Sequence, residues 1–263
     1  MTPTRRTFLT GAAAAGTVTL LPFTARAAAH GGDMFETPAG AITVHPISHA
    51  SFVMETPLGV IYVDPVGDAG QYGDFPAPDM ILITHEHGDH YNAETLAALV
   101  GEDTQLVANP AVYDMMAEEV KAKTTSLANG DGTELAGLTI DAIPAYNLTE
   151  ERKNFHPEGR DNGYVLSFDG FRVYISGDTE DIPEMRALEN IDLAFLCMNL
   201  PFTMTAEQAA EAVAEFNPGV VIPYHYRGRD GGTQDPEAFA QMLSEAGAET
   251  EVKLHDWYNG ELS

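Results

Sequence analysis

Residues 84–90 form the segment Thr84-His85-Glu86-His87-Gly88-Asp89-His90, fed directly by the wholly apolar run Met80–Ile83. A run of that kind reads as a buried strand that delivers a polar cluster to the end of a sheet. His85 and His87 are two residues apart, so in extended chain their rings face the same side. Neutral imidazoles suit zinc, and a carboxylate adds charge neutralisation. Gly88 permits a sharp turn, after which Asp89 and His90 can point at a neighbouring position. His85, His87, Asp89 and His90 are more ligands than one ion takes from so short a loop, which predicts two adjacent metal ions. A histidine-rich polar loop without metal is the alternative. It does not account for strand, ligands, glycine and capped helix arriving in this order.

The rest of the chain alternates short apolar runs with turns and a few helical stretches. In the first half, Ile42–His45, Ser51–Glu55, Val60–Val63, Met80–Thr84 and Gln105–Ala108 read as strands. Asn92 caps a helix to about Val100, with Glu94 in its favourable first turn, and Ala111–Lys121 reads as a second helix. In the second half, Thr139–Ala145, Tyr164–Phe168, Arg172–Ser176, Leu193–Cys197, Val220–Pro223 and Glu251–Leu254 read as strands, and Asp169-Gly170 as a hairpin turn. Ala206–Phe216, closed by Asn217-Pro218-Gly219, and Pro236–Glu245 read as helices. Hairpins near the start of each half, followed by alternating strands and helices, suggest two packed sheets with helices outside, an αββα sandwich. The periodicity also allows a doubly wound α/β fold.

The segment His85-x-His87-x-Asp89-His90 resembles the signature of the metallo-β-lactamase superfamily. The resemblance implies a four-layer αββα sandwich and further site residues. Asp64, in Val63-Asp64-Pro65, matches an aspartate that orients the histidine loop from behind. Asp178, in Ser176-Gly177-Asp178-Thr179, matches a carboxylate bridging both ions, and His225, in Pro223-Tyr224-His225-Tyr226, matches the last histidine ligand. One landmark is altered. Where the superfamily usually places a third histidine for the first ion, the strand Thr139–Ala145 leads to Tyr146-Asn147. Asparagine is a poor zinc ligand. Either Asn147 binds weakly, or His156 swings in from the next loop, or the first site is depleted. From about Thr43 onward the chain is similar to ascorbate-6-phosphate lactonase-like metal-dependent hydrolases, a similarity carried by His49-Ala50-Ser51-Phe52, Pro144-Ala145-Tyr146-Asn147, Gly177-Asp178-Thr179 and Phe202-Thr203-Met204. His49 then becomes a candidate substrate or metal contact.

The N-terminus reads as an address. Paired arginines, Arg5-Arg6, precede a mildly apolar stretch, and Ala25-Arg26-Ala27 offers small residues for a peptidase. Residues 1–27 resemble a twin-arginine export signal, which leaves residues 28–263 as a single hydrolase domain, periplasmic or secreted. The apolar stretch is too short to span a membrane, so no membrane association is expected once the signal is removed. The net charge of −27, from 40 acidic and 13 basic residues, repels phosphate backbones and speaks against a nucleic-acid partner. A single cysteine, Cys197 in an apolar run, excludes an internal disulfide framework and reads as core.

These features together predict a metal-dependent hydrolase with two divalent ions, zinc first and manganese or iron as alternatives. It would use activated water on a small-molecule ester, lactone, amide or phosphodiester, with Asp89 and His90 nearest the chemistry. No Gly-x-Ser-x-Gly elbow and no phosphate-binding glycine loop is present, which argues against serine-nucleophile and nucleotide chemistry. Two rivals are a metal-binding protein of the same fold with little or no turnover, and a di-iron redox protein. Substrate choice is expected in the loops Val66–Pro78 and Leu148–Asn162, where Tyr72, Phe155 and Arg160 are candidates to line a pocket.

Overall fold

Two seven-stranded sheets, each with its strands in strict chain order, make up the computed structural model, which describes residues 32–258. The first comprises β1 (Asp33–Thr37), β2 (Gly40–Ser48), β3 (Ser51–Thr56), β4 (Gly59–Val63), β5 (Met80–Ile83), β6 (Gln105–Ala108) and β7 (Thr124–Ser126). The second comprises β8 (Gly132–Leu135), β9 (Leu138–Ala145), β10 (Asp161–Phe168), β11 (Phe171–Ile175), β12 (Leu193–Cys197), β13 (Val220–Tyr224) and β14 (Glu251–Val252). In each sheet the first four strands pair antiparallel and the last four parallel. Hairpins build the antiparallel part, and crossovers carrying helices build the parallel part. The expected export signal, residues 1–27, lies outside the described residues.

Alternation along the strands shows why the layers are four. Phe52, Met54, Ile61, Val63, Met80 and Leu82 enter the core between the sheets, together with β10 to β13. Their neighbours Val53, Tyr62, Ile81 and Ile83 enter a second core under the helices Ala93–Leu99 and Pro110–Met115. A sheet buried on both faces in this way must be covered by helices outside and by the other sheet inside. On the far side, Ala206–Phe216 lays Ala209, Val213 and Phe216 against the second sheet, with the Phe216 ring edge-on to Tyr174 of β11. Phe52 and Phe195 stack across the inner core with ring centroids 4.2 Å apart. The αββα sandwich is therefore the observed architecture, and the doubly wound alternative is excluded.

Most expected elements lie where the pattern puts them. Asn92 caps its helix by accepting from the Glu94 and Thr95 amides, and Ala206–Phe216 matches to the residue. The hairpin turn has Asp169 and Gly170 both in the left-handed region. The helix expected over Ala111–Lys121 is instead two pieces, Pro110–Met115 and Glu118–Lys121. Met116 and Ala117 are extended between them, which buries Met116 and Val120 together against one core. β1, β7 and β8 carry too little apolar alternation to be expected from the sequence. All three are edge strands, where backbone pairing rather than side-chain burial decides the structure.

Candidate metal centre

The centre sits where the two sheets meet, at the carboxyl ends of their strands. His85 leaves β5, Asp64 leaves β4, Asp178 follows β11 through Ser176 and Gly177, and His225 leaves β13. Tyr164 of β10 ties the sheets together here, donating from its hydroxyl to the Ile83 carbonyl at 2.8 Å, and the Asn162 amide donates to the Thr84 carbonyl at 3.1 Å. Gly177 has φ of +60°, and a Cβ there would lie 2.7 Å from the Asn162 carbonyl oxygen and 3.1 Å from Thr84 Cβ. Only glycine lets the two sheets approach this closely. His49, Asp64 and His225 also adopt left-handed backbone, a cluster of strained non-glycine residues typical of functional sites.

Side chains that could hold metal converge in three groups, the first two sharing His85: His85, His87 and His156; His85, His90 and Asp178; His49, Asp89 and His225. Asp178 faces His90 Nε2 at 3.4 Å, His156 Nε2 at 3.5 Å and His225 Nε2 at 3.4 Å. Asp89 faces His49 Nε2 at 3.3 Å and His225 Nε2 at 3.6 Å. These separations are long for hydrogen bonds. The Nε2 atoms of His90, His156 and His225, and Oδ1 of Asp178, are buried with no hydrogen-bond partner. Four orphaned buried polar atoms around one centre are costly unless something satisfies them. Imidazole and carboxylate donors at this spacing fit one or two divalent cations.

The opposite ring nitrogens are anchored. His90 Nδ1 lies 2.8 Å from Asp64 Oδ2, and Asp64 also accepts from the Thr84 amide and hydroxyl, each at 2.7 Å. His156 Nδ1 lies 2.9 Å from Asp161 Oδ2. Arg160 donates to Asp161 through Nε at 2.6 Å and pairs with Glu86 at 2.9 Å. His225 Nδ1 lies 2.9 Å from the Asn199 amide. Carboxylates and amides behind metal-facing histidines fix ring orientation and raise ligand basicity. Asn147 keeps its Oδ1 buried without a hydrogen-bond partner. Its amide donates to the carbonyls of Arg152 and Phe202, and His156, from the loop between β9 and β10, is what joins His85 and His87.

Electrostatics divides the centre. Burial holds His85 well below the ordinary histidine range, and the neighbouring His90 adds to this; burial and His156 lower His87. Burial and the charge of His225 push His49 down to about 4. For His225 burial acts the same way, but the carboxylates of Asp178 and Asp89 outweigh it and raise the group to about 10. His90 is likewise raised, by Asp178 and Asp64 against burial. Asp178 and Asp89 are held below the usual carboxylate range by these histidines in spite of burial. Cys197 is fully buried in β12, and burial pushes its thiol up to about 12, so it is no nucleophile at neutral pH.

A cavity of about 460 Å³ opens onto the centre, lined by His49, His87, Asp89, Phe155, Phe202 and Arg227 among others. Of the residues expected to line a pocket, Phe155 does. Tyr72 is buried with its hydroxyl on Val66, and Arg160 supports Asp161. Asp161, Asn199, Tyr258 and Arg227 escaped the sequence reading. The only signal for them was Arg227-Gly228-Arg229 two residues past His225, in a chain poor in basic residues.

The family model described as the beta-lactamase superfamily domain matches residues 43–225. A UPF0173 metal-dependent hydrolase of Pyrococcus abyssi is 32% identical over 177 residues, 65% of this chain and 77% of that protein. A crystal structure of a candidate metal-dependent hydrolase from Parabacteroides distasonis shares 41% identity at a TM-score of 0.75, covering 86% of this chain and 98% of that one. The metallo hydrolase Igni18 of Ignicoccus hospitalis, at 23% identity and a TM-score of 0.68 over 82% of this chain and 95% of that one, shares the fold.

Proposed function

The chain belongs to the family of the beta-lactamase superfamily domain, and from that premise we propose that it is a metal-dependent hydrolase of small-molecule esters, lactones, amides or phosphodiesters, with two divalent ions. The observation that carries this reading is the set of unpartnered buried atoms: His90, His156 and His225 Nε2 with Asp178 Oδ1. The chemistry of the donor set favours zinc, with manganese or iron as the alternatives. The ions, when bound, supply an acidified water as nucleophile and positive charge for the oxygen on which negative charge develops.

The chain's own residues divide the remaining work. Asp178 faces both halves of the centre at once, so one carboxylate serves as their common wall. His85, His87 and His156 would hold one ion; Asp89, His90, Asp178 and His225 the other. Both His90 ring nitrogens are committed, Nδ1 to Asp64 and Nε2 to the centre, so His90 acts as ligand rather than as proton carrier. Asp89 is half-exposed in the cavity, where its Oδ2 can receive a proton released near the reacting bond. His49 faces that oxygen, and Tyr258 lies 2.8 Å from His49 Nδ1, which fixes the pair. Phe155 and Phe202 meet edge to face at 5.0 Å and give the cavity an apolar side.

The reading without turnover rested mainly on Asn147, and a third imidazole, His156, beside His85 and His87 speaks against it. A di-iron redox centre would call for an additional carboxylate in that group, which holds three histidines. The same proposal includes the finer branch, resembling ascorbate-6-phosphate lactonase-like hydrolases, and twin-arginine export with removal of residues 1–27. N-terminal sequencing of the protein recovered outside the cytoplasm would check the export.

Elemental mass spectrometry of the mature protein tests the metal reading. About two ions per chain are expected in the wild type, with fewer in Asp178→Ala, His90→Ala and His156→Ala. One ion or fewer in the wild type would overturn the two-ion centre.

A further inference from the structure

We infer that Arg227, with Arg229, forms an anion-binding subsite beside the metal centre, so that the substrate carries a carboxylate or phosphate group in addition to the bond that is cleaved. The inference rests on the hydrolase reading above for the identity of the anion as substrate, and on the following geometry for the subsite itself.

Arg227 lines the same cavity as His49, Asp89, Asp178 and His225. Its Nε and Nη2 are buried and have no hydrogen-bond partner. A guanidinium is always charged and presents its donors in a rigid fork, so two unmatched donors on one edge are placed to bind a pair of oxygens. The contrast with the other described arginines is sharp. Arg152 pairs with Glu180, Arg160 with Asp161 and Glu86, and Arg186 with Asp181 and Glu215, while Arg172 donates to the Glu189 carbonyl. In a chain of net charge −27, carboxylates are the easiest partners to supply. Among the described residues neither Arg227 nor Arg229 has one. Their side chains lie instead on aromatic rings, Arg227 over Tyr258 at 4.2 Å and Arg229 over Phe202 at 5.2 Å.

The turn that carries them is built. The Arg227 amide donates to the Tyr258 hydroxyl at 3.2 Å, the Gly228 amide to Thr233 Oγ1 at 3.2 Å, and the Arg229 amide to the Leu200 carbonyl at 2.9 Å. A Cβ at Gly228 would run into that same Leu200 carbonyl, so the backbone is pressed against its support. Tyr258 is shared: its ring carries Arg227 and its hydroxyl lies against His49, which faces Asp89. An anion held by Arg227 is thereby placed in register with the metal-facing side of the cavity. The acidic surface would otherwise repel such a substrate, and Asp89 and Asp178 would too unless cations neutralise them. Phe155 and Phe202, packed edge to face, offer apolar surface for the body of the molecule between its two polar ends.

The test uses the mature, metal-loaded protein as wild type, Arg227→Lys, Arg227→Met and Arg229→Met, with metal content measured in each. Calorimetric titration with inorganic phosphate, and separately with butyrate, reads the subsite directly. Arg227→Met is expected to weaken at least one of the two anions by about 10- to 100-fold, Arg227→Lys by less, because a point charge replaces the fork. Loss for phosphate alone, for butyrate alone, or for both identifies the anion class. A second readout compares p-nitrophenyl butyrate with mono-p-nitrophenyl succinate: the wild type should prefer the charged ester, and Arg227→Met should lower that preference by a similar factor through KM. Unchanged anion affinity in both arginine-to-methionine variants at full metal content overturns the subsite. If anion affinity falls but neither ester is cleaved even by the wild type, the subsite stands and the hydrolase reading loses its support.

Discussion

His156 Nδ1 lies 2.9 Å from Asp161 Oδ2, with both side chains buried and the opposite ring nitrogen, Nε2, left without a partner. Asp161 thus selects the ring orientation that presents Nε2 to His85 and His87, and Arg160 holds Asp161 through Nε and Nη2. In Asp161→Asn the neutral amide no longer orients the ring by charge. On the proposed two-ion reading, affinity for an ion at His85, His87 and His156 should fall about 10- to 100-fold, the usual cost of losing a carboxylate behind a ligand. Competition titration with a chelator measures it. An unchanged first affinity would mean that His156 is held by its loop alone.

Gly177 and Gly88 make a matched pair of tests. A Cβ at Gly177 would lie 2.7 Å from a carbonyl oxygen on a backbone with φ of +60°, one residue before Asp178. A Cβ at Gly88 would meet nothing within 4 Å. Gly177→Ala should therefore cost about 2–4 kcal/mol of stability, and Gly88→Ala less than about 0.5. Urea unfolding of the metal-free variants gives both values. Equal costs would remove the claim that sheet contact at Gly177 positions Asp178.

How much of this was legible in the sequence follows from how each feature is encoded. The segment 80–90 carried its own evidence, because strand, ligands and glycine are contiguous. The two-sheet sandwich was legible because strands such as β5 and β12 are buried on both faces and so read as apolar runs. The third imidazole was only one of three options, since what brings His156 to His85 is the path of a loop and a bond to Asp161, neither of which has a periodicity. β7 and β8 were missed because polar edge strands bury little. Arg227 was passed over because an arginine acquires meaning only when its partners are seen to be missing.

Asp64 is fully buried in left-handed backbone and receives three contacts, from the Thr84 amide, the Thr84 hydroxyl and His90 Nδ1. Asp64→Asn keeps the shape and tolerates the backbone, but sets an NH2 donor against one of these donors. The expected loss is about 2–4 kcal/mol in the chelator-treated protein, together with weaker binding of an ion proposed to sit at His90. A loss under about 1 kcal/mol would show that Thr84 and His90 find water in place of Asp64.

The histidines of the centre predict a stability maximum near pH 6.5 for the metal-free protein. His225 is raised from 6.5 to about 10, and His90 is raised as well. Above pH 6.5 the unfolded chain gives up these protons while the folded one keeps them, so stability falls as pH rises towards 10. His49 is lowered from 6.5 to about 4, and His85 and His87 are also lowered. Below pH 6.5 the unfolded chain takes up protons that the folded one refuses, so stability falls as pH drops. Each limb steepens by about 1.4 kcal/mol per pH unit for every proton by which the two states differ. Divalent ions remove the upper limb and steepen the lower one, because a liganded His90 and His225 carry no proton while the unfolded chain still gains one on each below pH 6.5. The apparent affinity for zinc should therefore rise between pH 6.5 and 8, with protons released on binding. Thermal melts of chelated and zinc-loaded protein across this range, with calorimetry in two buffers of different ionisation enthalpy, measure both effects. Zinc binding that neither releases protons nor strengthens with pH would place the ions away from His90 and His225.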